Sequence, residues 1–311
     1  MVHPVQSDNN PTHDPQRPWL HEVEGQGLVP ASCRLFLNPR NVFTTVRPHS
    51  FIPAISIVIC TYGRPDSLNE TLKSLQVQTF NNFEVILITE KGDLSNLRDK
   101  GLRMAEGAFT AFIDDDVYCT ATWAQSVIDC FRKREIVGVT GPTEITNEYK
   151  KNRDIFKFKT FKKLYDRLFL DGQAWRPSYL SKTGTPSTAS NNPLLSYDGE
   201  AGYLEACNFV CRTKEARRVG GFSRDYTGTS EWCEVDLALR LKAVGTLWFC
   251  NKAKLYHRPS KAGVYKARLK TQHRWKNFVT FQRKWVEPSL KRKLYWVWVW
   301  SYLNLKGARI I

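Results

Sequence analysis

Four short apolar runs recur along this chain: Ile55-Ser-Ile-Val-Ile-Cys60, Phe83-Glu-Val-Ile-Leu-Ile88, Ala108-Phe-Thr-Ala-Phe-Ile113 and Ile136-Val-Gly-Val-Thr140. They limit the fold more than any other feature. Each is rich in β-branched residues and lacks a polar face, as strands covered by helices on both sides must be. Between them lie segments with apolar residues at helical spacing. Leu68, Leu72 and Leu75 follow the turn Tyr62-Gly63-Arg64-Pro65, and Pro65 suits the first turn of a helix. Leu94, Leu97, Gly101 and Ala105 precede Gly107, and Thr120 is placed to cap a helix bearing Trp123, Val127 and Phe131. This alternation predicts an α/β fold: a mostly parallel twisted sheet flanked by helices, with right-handed crossovers.

The third run ends in three carboxylates, Asp114-Asp115-Asp116. Buried charge is very costly unless paired, so the triplet belongs where the sheet opens to ligands, at the carboxyl end of a strand. Clustered oxygen ligands suit a hard divalent cation, and such a cation suits a phosphate-bearing substrate. Acidic runs are commonly just solvated loops, but the buried strand leading into this one argues otherwise.

At 311 residues the chain is long enough to bury a large core. Residues 1–50 are polar and rich in proline, which predicts disorder over the first 25 or so and irregular packed chain after them. Residues 142–202 break the strand–helix rhythm and read as binding loops. Regular structure is expected again at Tyr203-Leu-Glu-Ala-Cys-Asn-Phe-Val-Cys211, then in a helix carrying Leu237, Leu241 and Val244. Eight cysteines are scattered with no Cys-x-x-Cys pair, so they read as reduced thiols rather than zinc ligands. The first thirty residues hold no apolar signal segment, and no run of about 18 apolar residues occurs. The chain therefore reads as cytoplasmic.

The net charge is +16, and it is concentrated. From Asn251 to Ile311 there are sixteen Lys or Arg residues and one acid, Glu287. Trp275, Phe278, Phe281 and Trp285 recur there at helical spacing among Arg268, Lys270, Arg274, Lys276, Arg283 and Lys284. Leu294-Tyr-Trp-Val-Trp-Val-Trp-Ser-Tyr-Leu303 follows Lys291-Arg-Lys293. Such a segment is too short to span a bilayer, but Trp and Tyr beside Lys and Arg suit the headgroup boundary of an anionic membrane. The competing expectation is that these aromatics pack on the domain and the charges form a solvated face.

Several motifs stand in a characteristic order: Ile57-Val-Ile-Cys-Thr-Tyr-Gly-Arg-Pro65, Asn96-Leu-Arg-Asp-Lys-Gly101, Phe112-Ile-Asp-Asp-Asp116, Gly220-Gly221-Phe222, Cys233-Glu-Val-Asp-Leu237 and Tyr256-His257. In that order they resemble glycosyltransferase family 2, inverting enzymes of the GT-A fold that use nucleotide sugars. The resemblance covers about Ile55 to His257. It implies a glycosyltransferase domain at 51–258, with a nucleotide-sugar-binding half at 51–140 and an acceptor-binding half at 141–258. A basic, Trp-rich helical extension at 259–311 would follow.

By this resemblance Asp116 binds Mn2+ or Mg2+, with His257 completing the metal site, and Asp114 lies against the ribose or base, beside Asp115. Glu234 takes the place of the family's general base, although Cys233 replaces the acid before it; Glu231 is the reserve. Thr61, Tyr62, Arg64 and Arg98 fall in the nucleotide region. Asp99 stands where an asparagine is usual, and Glu90 is the one residue able to replace the aspartate that reads uracil; UDP remains the default nucleotide, with GDP or dTDP open. Glu205 and Asn208 match the floor of the acceptor site, and Trp175 and Trp232 are placed to stack on a sugar ring. The implied partners are a nucleotide-sugar donor and a glycan or lipid-linked acceptor in polysaccharide or cell-envelope synthesis. The basic extension would rest on the cytoplasmic face of a membrane.

Two other classes are weaker. A nucleotidyltransferase would show a Gly- and Lys-rich phosphate loop after the first strand, which Thr61-Tyr62-Gly63-Arg64 does not supply. A non-catalytic nucleic-acid-binding protein explains the basic tail but not three aspartates at a strand end, which repel phosphate unless a metal intervenes.

Overall fold

A computed structural model describes residues 32–145, 159–192, 196–258 and 271–308. The disorder expected over the first 25 residues, and the tail residues Arg268 and Lys270, lie outside these. The first half of the chain runs β1 (Ser32–Leu37), β2 (Phe43–Thr44), β3 (Ile55–Cys60), α1 (Pro65–Gln76), β4 (Phe83–Ile88) and α2 (Leu94–Met104). Then come β5 (Phe109–Asp114), β6 (Val117–Cys119), α3 (Trp123–Cys130), β7 (Ile136–Thr140), β8 (Thr143–Ile145) and α4 (Lys159–Phe169). The second half holds β9 (Gly199–Glu200), β10 (Phe209–Arg212), α5 (Thr213–Arg218), α6 (Cys233–Lys242), β11 (Thr246–Phe249) and β12 (Leu255–His257). Two helices close it, α7 (Thr271–Trp285) and α8 (Leu290–Ala308).

The main sheet has the order β2-β1-β4-β3-β5-β10-β7-β11-β9. β4, β3 and β5 are mutually parallel, as are β7 and β11. β10 runs antiparallel between β5 and β7. Followed through these pairings, all strands but β1, β10 and β9 share one direction, so the sheet is mostly parallel in orientation. A second sheet, β6-β12-β8, sits beside the end of β5.

Period-two alternation sends side chains to both faces of the sheet. Ile55, Ile57 and Ile59 join Leu68, Leu72 and Leu75 of α1 and Trp123 and Val127 of α3 on one side. Val58 joins Leu102 of α2 and Leu237 and Leu241 of α6 on the other. Each such side chain contributes about 1.5–3 kcal/mol when fully buried. Gly101 explains how closely α2 lies on β3: a Cβ there would meet Val58 Cγ1 at 2.3 Å.

Three expectations are corrected. Residues 32–37 are not irregular chain but a strand, paired antiparallel with β4 from Ser32↔Ile88 to Phe36↔Glu84. Arg34 fixes it by an ion pair to the fully buried Glu84, whose Oε1 also accepts from Ser56 Oγ at 2.7 Å. Thr120 does not cap α3; its hydroxyl donates to the Lys254 carbonyl at 2.9 Å, and Thr122 is the residue before the helix. The run from Tyr203 becomes a strand only at Phe209, because the chain turns first, with Asn208 N donating to Glu205 O at 3.0 Å.

The C-terminal segment is helical and docked. Phe278 and Phe281 of α7 are buried, and Tyr295 and Trp298 of α8 pack on Tyr165 and Phe169 of α4. Among the described residues no helix is long and apolar enough to cross a membrane.

Candidate active site

The carboxyl end of β5 delivers the aspartates, and the small sheet brings them a histidine. β12 pairs antiparallel with β6, placing His257 opposite Val117, and Arg258 N donates to Asp116 O at 2.8 Å. His257 Nε2 thereby lies 3.1 Å from Asp116 Oδ1. Asp114, Asp116 and His257 each offer a ligand atom, all within 4.8 Å of one another. Two carboxylates and an imidazole at this spacing suit Mn2+ or Mg2+.

The three aspartates do different things. Asp115 points under the sheet edge: it is fully buried, accepts from Thr61 Oγ1 at 2.6 Å and is ion-paired to Arg64. Burial pushes its carboxyl up to about 7, against the opposing effects of Arg64 and Thr61. It braces the turn rather than facing a nucleotide. Asp114, expected against the ribose or base, lies together with Asp116 and His257. Arg64 also donates to Asp116 Oδ2 at 3.0 Å.

Arg98 joins this cluster to the start of α6. It is buried, donates to Asp114 Oδ1 at 3.2 Å and to Ala206 O at 3.3 Å, and lies 3.9 Å from Cys233 Sγ. The Cys233 thiol in turn lies 3.5 Å from Glu234 Oε2. Burial raises the Glu234 carboxyl above the usual carboxylate range, with Arg98 pulling the other way. A carboxylate tuned upward in this manner is a stronger proton acceptor than a solvated one.

Glu231 sits on an unusual turn just before the helix that carries Glu234. Ser230 and Trp232 both have positive φ, 51° and 78°, flanking Glu231. Such conformations cost non-glycine residues on the order of 1–3 kcal/mol each and persist only when their surroundings impose them. Glu231 Oε1 is held by Arg274 Nε at 3.1 Å. Trp232 is not an open sugar platform: its indole stacks on Phe281, with centroids 4.7 Å apart and planes 22° apart. Trp175 is exposed and free to stack.

Other expected residues divide between bracing and open positions. Asn208 is fully buried with its amide spent internally, accepting from Trp123 Nε1 at 3.0 Å and donating to Ala253 O at 2.8 Å. Its expected place at the acceptor floor gives way to a structural one. Glu205 accepts from Ser190 Oγ and Tyr203 OH at 2.6 and 2.7 Å. Tyr62 is exposed beside the β3 end, and Glu90 is paired with Lys100 at 3.0 Å. Asp99 serves the Gly220-Gly221-Phe222 turn: its Oδ1 accepts from Phe222 N at 3.1 Å. At Gly221, φ is +63° and a Cβ would meet that same oxygen at 2.1 Å, so only glycine fits.

The residues missed from the sequence are those of α7 that face this turn. His273, Arg274, Asn277, Lys284 and Trp285 all contact residues 227–236. The signal available was Asp236 on the apolar side of α6, a buried acid needing partners from elsewhere.

No protein-family model matches the chain. Over 130 residues it is 22% identical to a glucosyl-dolichyl phosphate glucuronosyltransferase of Haloferax volcanii, a stretch covering 33% of this chain and 42% of that relative's length. Among solved structures, it overlays on the mannosyltransferase PcManGT from Pyrobaculum calidifontis, determined with GDP-Man and Mn2+. That match has a TM-score of 0.48 at 12% identity and covers 83% of this chain and 72% of the other. Residues 1–349 of S. aureus TarS with UDP-GlcNAc match with a TM-score of 0.46 at 12% identity, covering 81% of each chain. GalNAc-T7 with UDP, GalNAc and Mn2+ matches at 0.45 and 8% identity, covering 68% of this chain and 45% of the other. In sequence, over a third of its length, the chain is similar to a sugar-transferring enzyme, of which the matched stretch spans less than half.

Proposed function

We propose that this chain is an inverting glycosyltransferase that moves a sugar from a nucleoside-diphosphate sugar, UDP-linked by default, to a hydroxyl of a glycan or lipid-linked acceptor. The observation that carries this reading is the convergence of Asp114, Asp116 and His257 at the sheet's carboxyl edge, tied through Arg98 to Glu234. Asp114, Asp116 and His257 would hold Mn2+ or Mg2+, which when bound neutralises charge on the departing diphosphate. Arg64 and Arg98 add fixed cations on the same side, in a setting where oriented charge stabilises a developing anion. Glu234 takes the acceptor's proton as that oxygen bonds to the anomeric carbon and the carbon–diphosphate bond breaks. Attack opposite the leaving group inverts the anomeric centre.

A panel of nucleotide sugars with Mn2+, scored for nucleoside diphosphate release, tests this. One donor should be hydrolysed slowly by the wild type, and Asp116→Ala and Glu234→Gln should each abolish it. Release that persists in Asp116→Ala would end the reading.

The proposal extends to attachment at an anionic cytoplasmic leaflet, consistent with a cell-envelope acceptor. Leu290, Leu294, Val297 and Trp300 form one exposed stripe of α8, flanked by Lys291 and Lys293. The neighbouring α4 adds exposed Phe161 and Leu164 beside Lys162 and Lys163. Apolar and basic residues interleaved in this way fit the headgroup boundary. Leu294→Ser with Trp300→Ser should weaken co-sedimentation with phosphatidylserine vesicles several-fold; unchanged sedimentation refutes the attachment.

A further inference from the structure

We infer that α7 splints the segment that carries the base, and that Asp236 is the positioning residue through which it acts. This rests on Glu234 being the base, as proposed above. Asp236 lies one half-turn beyond Glu234 on α6 and is fully buried. Its Oδ1 accepts from Trp285 Nε1 at 2.7 Å and lies 2.7 Å from Lys284 Nζ, both of α7. Its Oδ2 takes Arg240 Nη2 at 2.8 Å, from its own helix. A buried carboxylate with three donors has one orientation, so the start of α6 is fixed relative to α7.

The same helix holds the strained turn ahead of the base along three of its turns. Asn277 bonds Thr227 twice, accepting from its N at 3.0 Å and donating to its O at 2.9 Å. His273 Nδ1 meets Thr227 Oγ1 at 3.1 Å, and Arg274 pairs with Glu231. Phe281 stacks on Trp232, whose left-handed backbone directly precedes α6. Left to itself this turn would relax out of its positive-φ conformation and carry Glu234 with it. A helix far downstream in the chain prevents that.

The experiment compares Trp285→Phe, Lys284→Met and Lys284→Arg in the full chain, with Glu234→Gln alongside. Trp285→Phe keeps the ring and loses the donor. We expect kcat for nucleoside diphosphate release with Mn2+ to fall at least ten-fold for Trp285→Phe and Lys284→Met, measured well below the melting temperature of each variant, with donor KM unchanged. Lys284→Arg should restore kcat to within about threefold. Amide exchange should quicken about ten-fold over residues 226–236 and not in β3, β4 or β5. Activity within twofold of wild type for both donor-removing variants, with Glu234→Gln inactive, overturns the splint alone. So does a loss of activity that merely follows a fall in melting temperature. Full activity of Glu234→Gln overturns the base assignment, and this inference with it.

Discussion

The carboxylates at the end of β5 and the carboxylate at the start of α6 are linked through Arg98 and Cys233 but are held in contrasting ways. Asp114 ends a strand bonded on both sides, Asp116 follows in the turn after it, and that turn is pinned from below by Asp115, Thr61 and Arg64. Their positions follow from sheet geometry. Glu234 follows a turn with two left-handed residues, and the contacts that hold this turn come largely from α7, some forty residues on. One side is rigid by construction, while the other is rigid only while something leans on it. Local stability varies across a fold, and segments with few contacts of their own open first. The transfer proposed above needs both sides to meet, so the weaker side would set how precisely they do.

Substitutions can break or sharpen this contrast. The largest effect should come from Arg98→Met, because this side chain touches both sides at once. Removing it leaves Asp114, Cys233 and Glu234 without their shared cation; losing one partner of a buried ion pair costs about 3–5 kcal/mol. Donor turnover should drop by roughly a thousand-fold, the loss typical of a removed transition-state donor, with a lower midpoint in urea. Equal activity would mean the two sides work independently.

His257→Ala, on the rigid side, should act on the metal alone. Half-saturation by Mn2+ should rise at least ten-fold, in keeping with the cost of disturbing a metal's ligand set, while the melting temperature stays put. A large thermal shift would show that this side, too, depends on remote support.

Asn277→Ala, on the dependent side, should do the reverse. Thr227 loses a partner for both its backbone N and O, a cost of about 1–3 kcal/mol. Hydrogen exchange should locate that loss at residues 226–232, with half-saturation by Mn2+ unchanged.

The smallest effect is the shift of one titration. Burial holds Glu234 protonated to a higher pH than a free glutamate, whose pKa is about 4.3. The proposed base works only when ionised, so kcat should decline on acidification through that raised value, with the acid limb above that of a free glutamate. Stability runs the other way. The folded chain binds this proton more tightly, so the group's contribution is complete below the free-glutamate pKa and is lost as pH rises through the folded one. An acid limb at the ordinary carboxylate value would show that Glu234 is solvated.

The contrast also explains what could be read in advance. β3, β4 and β7 have the limits that their β-branched runs predict, and the acids at the end of β5 follow from one strand and one charge argument. Local pattern suffices there because local geometry places the groups. β1 escaped because its strand lies inside polar, proline-rich chain and is stabilised from outside, by β4 and the buried Glu84. Asn208 and Trp232 match a motif yet serve packing, since Trp123, Ala253 and Phe281 reach them from distant segments. Asp114 and Asp115 have the same residue type and adjacent positions, and only the turn between strands decides that one joins Asp116 and His257 and the other points to the interior.

β10 has a consequence for how the molecule is made. It lies between β5 and β7, which leave a ribosome much earlier and cannot bond to each other across the gap it fills. Until residue 212 emerges, both strands carry an unsatisfied edge, the kind of surface that invites mispairing in nascent chains. The amino-terminal portion is therefore expected to await its partner, and a fragment ending near residue 145 should aggregate instead of forming a stable nucleotide-binding unit.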